Sequence, residues 1–326
     1  MTDPSWMAHR EDLADLNAAV SDIRRQIQSF IVGQTRMVDL LVAAILADGH
    51  VLIEGVPGVA KTLAARLMAR TFDVSFSRIQ FTPDLMPSDV LGTSVYNLQK
   101  AAFEFKKGPV FAHLLLIDEI NRAPAKTQAA LFEVMEERQV TVDGATHVME
   151  RPFLVIGTQN PIEQEGTYRL PEAQLDRFLF KITVPYPSLE EETEIIRSFH
   201  ARESRNDLSR LTPVLTAERV RVIQDQVRRL HIEERLIGYI AALIHHSRSH
   251  PGLYLGGSPR ASLNVMTAAK AIAAMEGRDF VTPEDIQAVL YPVLRHRLLL
   301  TPEKEMEGVT TDTIIREVIE SVDVPR

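Results

Sequence analysis

The stretch Gly55-Val56-Pro57-Gly58-Val59-Ala60-Lys61-Thr62 has the residue types and spacing to hold phosphate. Glycines let successive backbone N–H groups curl inward around anionic oxygens. The lysine reaches the β- and γ-phosphates, and the Ser/Thr hydroxyl suits Mg2+. A helix after the loop adds the positive end of its dipole. The strict pattern has glycine where Ala60 stands. That position should open the helix, where right-handed backbone carries a methyl group without strain, so the loop is expected to work. A chance glycine-rich turn does not explain why strand, loop, Lys-Thr pair and helix fall in order.

Leu114-Leu-Leu-Ile-Asp118-Glu119 is an apolar run feeding two carboxylates, the pattern of a buried strand ending where open parallel sheets bind ligands. Asp118 would hold Mg2+ through a water, and Glu119 would polarise an attacking water as a general base. Adjacent Asp and Glu suit hydrolysis, whereas a small-molecule kinase positions an acceptor hydroxyl. Alone, such a run equally suits a strand feeding a helix cap; the upstream loop gives it meaning. Phe153-Leu-Val-Ile-Gly-Thr-Gln-Asn160-Pro161 is a second buried strand with a polar tip. Asn160 could bond a γ-phosphate or its attacking water, and an Asx-turn before the proline explains it equally well locally. Arg177, in Leu175-Asp176-Arg177-Phe178, and Arg260, in Gly257-Ser-Pro-Arg260, could each stabilise a transferring phosphoryl group. From the helical second half, Arg260 could report nucleotide state by closing onto the site. A surface ion pair is the alternative for both; for Arg177 the local partners are Glu172 and Asp176.

Two motifs lead nowhere. Asp73-Val-Ser75-Phe-Ser77 spells the metal site of von Willebrand A domains, but the preceding residues read as a helix end and not as a buried strand. His245, His246 and His250 cluster without a helical acidic partner, and a solvated helix end explains them better than a metal.

Positioning these groups takes alternating strands and helices. Val51–Ile53, Ser75–Phe81, Leu114–Ile117, Phe153–Ile156 and Phe178–Val184 read as strands, with helices over Thr62–Arg70 and Thr127–Glu137. Such alternation predicts a mainly parallel sheet covered on both faces. Ser94–Lys106 and Gln139–Arg151 read as inserted hairpins, with turns at Gln99–Lys100 and Asp143–Gly144, and are candidate contact surfaces. Earlier, Leu13, Leu16, Val20, Ile23, Ile27 and Phe30 form one helical stripe, which packs on its own domain or, less simply, on a neighbouring subunit. After Tyr186-Pro187-Ser188 strand signals fade into helical stripes. The last clear helix starts at the cap Thr282-Pro283, with Pro292 predicted to kink it. The fold class is therefore α/β, with a smaller all-helical domain behind it.

Composition agrees with an ordinary folded protein: 326 residues, 45 % hydrophobic and 25 % charged, about two domains' worth. The absence of cysteine excludes disulfides, thiolate metal sites and thiol nucleophiles. The longest apolar run, Leu40–Ala47, is too short to cross a bilayer, and Met1–Arg10 shows no secretory pattern, so a cytoplasmic protein is expected. A formal charge of −8, with basic residues only in doublets such as Arg24–Arg25, Lys106–Lys107 and Arg228–Arg229, argues against nucleic acid.

Together these segments resemble the AAA+ ATPases, and closely the MoxR family. The resemblance rests on Val32-Gly33-Gln34, Glu54–Thr62, Arg78–Asp89, Ile117–Pro124, Gly157–Pro161, Gly166–Phe178 and Ser258–Arg260. It implies an AAA+ core with inserted hairpins plus a helical lid, divided as an N-terminal helix (1–31), a nucleotide-binding core (32–187) and the lid (188–326). By the same carry-over, Gly55–Thr62 is Walker A with Leu63 beside it in the ATP contacts. Asp118 and Glu119 are Walker B, with Thr62 and Asp118 on the metal, and Asn160 is sensor 1. Arg177 is the arginine finger, Arg260 the sensor 2 arginine, and Val32, Gly33 and Gln34 lie near adenine. Arg122 matches the family pattern without an assigned role. The cofactors implied are ATP and Mg2+, and the assembly is a homo-oligomeric ring, usually a hexamer. The partners implied are a client protein to be remodelled or matured and a protein carrying a von Willebrand A domain. A nucleic-acid motor or loader and a small-molecule kinase are the competing readings, disfavoured by the acidic balance and by the lack of an acceptor pocket.

Overall fold

The structure, a computed structural model, describes residues 5–161, 168, 170–201 and 207–325. The first half runs α1 (Ser5–Gln28), α2 (Thr35–Leu46), β1 (His50–Gly55), α3 (Lys61–Thr71), β2 (Phe76–Gln80), α4 (Pro87–Leu91), β3 (Gly92–Asn97) and β4 (Ala102–Lys107). There follow β5 (Leu114–Asp118), α5 (Ala125–Glu137), β6 (Gln139–Val142), β7 (Ala145–Val148), β8 (Leu154–Gln159), α6 (Glu172–Leu175) and β9 (Phe178–Val184). The second half runs α7 (Leu189–Ala201), α8 (Ala217–Arg229), α9 (Glu234–Ser249), β10 (Leu253–Leu255), α10 (Pro259–Met275) and α11 (Pro283–Leu294). It closes with β11 (Leu299–Leu300), α12 (Pro302–Met306) and α13 (Thr311–Ser321).

All five strands expected from the sequence join one sheet in the order β2-β5-β8-β1-β9, every pairing parallel. Strands buried on both faces need apolar side chains at every position, which is why β5 and β8 read as unbroken runs. Alternate residues then serve two cores. Val51, Ile53, Leu114, Leu116, Leu154 and Ile156 meet α2, α3 and the lid helices on one face. Leu52, Leu115, Ile117 and Val155 meet α5 on the other. The two hairpins form where expected, β3 with β4 and β6 with β7, and Phe105 stacks on His147 across them at 4.4 Å.

The stripe of α1 is covered by the same chain. Leu13, Leu16, Val20, Ile23 and Ile27 are buried, and α1 packs on α2, α3 and α10, which leaves none of that stripe for a neighbouring subunit. α11 runs through Pro292 and stops at Leu294. The missing N–H costs one bond only two residues before the end, where the helix is about to release its carbonyls anyway. At the other end Asp285 accepts from the Thr282 N–H at 2.8 Å and takes a bidentate Arg278 at 2.6 Å through both oxygens, a stronger cap than Thr-Pro alone implied. Alternation did not announce the short antiparallel ribbon β10–β11 within the helical half. No helix among the described residues is long and apolar enough to cross a membrane. Of the Met1–Arg10 stretch, residues 1–4 lie outside the described residues.

Candidate nucleotide site

Parallel strands deliver their C-terminal ends to one edge. The register pairs Glu54 with Gln159 and Ile117 with Gly157, so Gly55, Asn160 and Asp118 leave the sheet side by side. The loop after β1 turns through left-handed backbone at Gly58 (φ 90°) and Ala60 (φ 59°, ψ 20°). Right-handed backbone at Ala60, expected from the sequence, is therefore corrected: the loop must reverse before the helix can begin, and α3 starts one residue later at Lys61. An alanine held there carries strain that glycine would not. Nothing lies within 4 Å of the side-chain direction of Gly58, so the loop faces open space. Lys61 Nζ donates to Gly55 O at 2.6 Å, which folds its ammonium group over the loop.

Beside the loop is a cavity of about 170 Å³ lined by Ile31, Val32, Gln34, Gly58, Ala60 and Leu63, with Ile195 and Phe199 of α7 closing it. Its mostly apolar wall next to a phosphate-type loop suits a flat heterocyclic base. Gly33 lets the chain pass: its φ is 68°, and a Cβ there would run into the Glu191 carboxylate. That carboxylate is fixed in turn by the Ser188 N–H at 2.8 Å.

Asp118 is buried. Its Oδ2 accepts from Arg78 Nε at 2.6 Å and its Oδ1 from Thr158 Oγ1 at 3.2 Å. The same threonine oxygen accepts from the Glu119 N–H at 3.1 Å, so one β8 hydroxyl fixes both acidic residues. Glu119 has φ 57°, uncommon for a residue other than glycine or asparagine. Arg122 Nε stands 2.8 Å from its Oε2. The donor set fits a hard divalent cation, since Thr62 and Asp118 offer only oxygen. Arg78 and Thr158 hold the Asp118 side chain in a fixed pose. Asn160 and Gln159 line the same edge with Asn121. In the Gly166–Phe178 stretch, Gly166, Thr167 and Arg169 lie outside the described residues.

The two arginines stand elsewhere. Register places His50 opposite Phe178 and Gly55 opposite Val184. Arg177, one residue before β9, is thus at the opposite end of the sheet from the loop, about 20 Å away at a rise of about 3.3 Å per residue. An extended arginine side chain does not span that gap. Arg177 bonds neither Glu172 nor Asp176, its local alternatives: NH1 donates to Phe132 O at 2.5 Å and lies 3.6 Å from Glu136 Oε2. Arg260 grips the other oxygen of the same Glu136. The structure therefore brings Arg177 and Arg260 together on one carboxylate, and not Arg260 onto the loop. Asp176 is taken by Arg297 at 2.6 Å. Sequence reasoning missed Arg78, Thr158, Glu136 and Arg297. Arg78 and Thr158 carried a signal, each standing inside a motif stretch without a role, whereas Glu136 and Arg297 carried none. Of the discarded motifs, Asp73 follows α3 in a turn with φ 43°, and Ser75 Oγ is bound to His113 at 2.7 Å. His250 lies 3.1 Å from Glu317.

Comparison with known proteins agrees with this architecture. The ATPase family associated with various cellular activities (AAA) matches residues 50–180, and the AAA lid domain matches residues 245–318. A crystal structure of a protein from Cytophaga hutchinsonii superposes with a TM-score of 0.91 at 40 % identity, covering 99 % of this chain and all (100 %) of that one. Fold and matches together define an AAA+ ATPase, an enzyme that hydrolyses ATP. Chaperone MoxR1 of Mycobacterium tuberculosis is 43 % identical over 95 % of this chain and 82 % of its own length. Protein MoxR of Methylorubrum extorquens is 32 % identical over 96 % and 97 %. YeaC of Bacillus subtilis is 45 % identical over 98 % of both. The chain belongs to the MoxR family of AAA+ ATPases.

Proposed function

We propose that this ATPase cleaves ATP at pockets shared between adjacent protomers of a homo-oligomeric ring, a hexamer, and uses the cycle to remodel or mature client proteins in the cytoplasm. Residues 32–187 form the nucleotide-binding core, residues 188–326 the lid and residues 1–31 the N-terminal helix. The loop Gly55–Thr62 and Lys61 bind the phosphates, and Val32–Gln34 with Leu63 hold the base. Thr62 and Asp118 would hold Mg2+, which when bound neutralises charge across the β- and γ-phosphates. Glu119 accepts the proton of the attacking water and Asn160 orients that water. Arg177 reaches the γ-phosphate of the neighbouring protomer. Arg260, sharing Glu136 with it, approaches from the same side, in place of the expected closure on its own pocket. Exposed Leu98 and Phe103 (86 % and 73 % accessible) on the β3–β4 hairpin support contact with a client or a von Willebrand A partner.

The observation that carries this reading is the parallel direction of β9, which sets Arg177 beyond reach of its own loop. Two inactive variants test it. Arg177→Ala keeps an intact pocket, and Glu119→Gln keeps an intact arginine. Mixed in equal amounts, random closed rings hold about one productive interface in four, so about a quarter of the wild-type ATPase rate returns. Co-assembled mixtures no faster than the sum of their parents would refute the shared pocket. DNA leaves the rate unchanged.

A further inference from the structure

The turn that carries Arg177 is gripped from the lid. Arg297, three residues past α11, is almost wholly buried, and its guanidinium fork is spent on that turn, on the start of β9, on its own helix end and on the adjacent His296 ring, whose Nε2 lies 2.8 Å from NH1. Nε donates to Asp176 Oδ1 at 2.6 Å, NH2 to Asp176 O at 3.0 Å and to Phe178 O at 2.6 Å, and NH1 to Leu179 O at 3.3 Å. The residues so held stand immediately before and after Arg177. A second lid contact converges there: Ser258 Oγ, the N-cap of α10, donates to Asp176 Oδ2 at 3.5 Å. Burial pushes the Arg297 guanidinium down to about 10, which leaves it cationic at neutral pH. Buried ion pairs seldom stabilise more than an apolar replacement would. A planar fork bonded to the backbone on both sides of one residue instead fixes orientation.

We propose that Arg297 is a positioning residue for Arg177: by clamping Asp176 and Phe178 it sets the pose in which one protomer presents Arg177 to its neighbour's nucleotide. The proposal rests on the shared-pocket reading above. It makes the lid of each protomer a determinant of turnover in the next pocket, separate from nucleotide binding in its own.

The test uses the full-length protein and Arg297→Lys, which keeps the charge and loses the fork. At saturating ATP the turnover rate is expected to fall at least ~10-fold, while the affinity for a fluorescent ATP analogue stays within about 2-fold. Mixing Arg297→Lys with Glu119→Gln should restore about a quarter of the wild-type rate, because the partner supplies a correctly mounted Arg177. Asp176→Asn, a partly exposed isosteric change, should give the same pattern and carries the test if Arg297→Lys does not fold. Wild-type turnover in Asp176→Asn overturns the proposal. So does an unrescued mixture alongside a rescued Arg177→Ala and Glu119→Gln pair. If that pair also fails, the shared pocket itself falls and the proposal with it.

Discussion

His50 opens β1, the strand that ends in the phosphate loop, and its protonation state is fixed by its neighbours. Nδ1 accepts the Val155 N–H at 3.0 Å, so the ring hydrogen must sit on Nε2, which donates to Met135 O at 3.1 Å. A second proton on Nδ1 would point at another donor. Burial holds the imidazole well below its ordinary pKa, and the nearby Arg138 charge adds to this. His296 is held down in the same way, by burial and by Arg297. An unfolded chain takes up a proton at each of these histidines below about pH 6.5, and the folded chain does not. The unfolded state then binds more protons, so stability is present above pH 6.5 and is lost as the pH falls through it. Between pH 7.5 and 5.5 each histidine withdraws about 1 kcal/mol, and the two together about 2–3 kcal/mol. That is a large share of an unfolding free energy of about 5–15 kcal/mol.

Urea denaturation at pH 7.5, 6.5 and 5.5 and constant ionic strength measures this loss. His50→Gln keeps one acceptor and one donor but does not titrate. It should be less stable than wild type at pH 7.5 and lose about 1 kcal/mol less than wild type over the same interval. An unchanged dependence in His50→Gln would refute the assignment of a buried, neutral His50.

Ala60→Gly should raise the unfolding free energy by about 1 kcal/mol, because left-handed backbone costs alanine what glycine avoids. Denaturant titration checks this, and a destabilised variant would mean that the methyl packs more strongly than the backbone is strained. Lys61→Ala should weaken binding of a fluorescent nucleotide at least ~10-fold, and Glu119→Gln should leave it intact while slowing hydrolysis by about 10² to 10⁴. Wild-type affinity in the first would count against the loop, and wild-type turnover in the second against the base.

What could be read from the sequence was chemistry written in neighbouring residues. The proposed phosphate loop needs its glycines, lysine and threonine within eight positions, and the buried strands need unbroken apolar runs, so local pattern proposed the first and located the second. The backbone of Ala60 could not be read this way. Residue type argued for a helical start, whereas the closure of the loop around a ligand-sized space decided otherwise. Nor could the ion pairs. Arg260 finds Glu136 124 positions away and Arg297 finds Asp176 121 away. The local partners proposed for Arg177 lost to a helix end that the fold carries past it. Pairings of this kind depend on which surfaces the sheet order brings together, and β9 lies beside β1 only because the chain crosses the sheet to reach it.

Strand direction has a consequence for the enzyme that no single residue displays. Had the edge strand run antiparallel to β1, the residue before it would sit at the phosphate edge, and Arg177 could complete its own pocket. Parallel pairing sends that residue to the far edge, level with His50, with Glu136 and the lid around it. A cation there has no phosphate of its own chain to meet. In the head-to-tail ring proposed above, that far-edge surface would face the next protomer's loop. On the proposed shared-pocket reading, the direction of one strand divides the charge-stabilising groups from the binding and proton-accepting groups, and it would couple turnover to assembly without requiring any change within the phosphate loop.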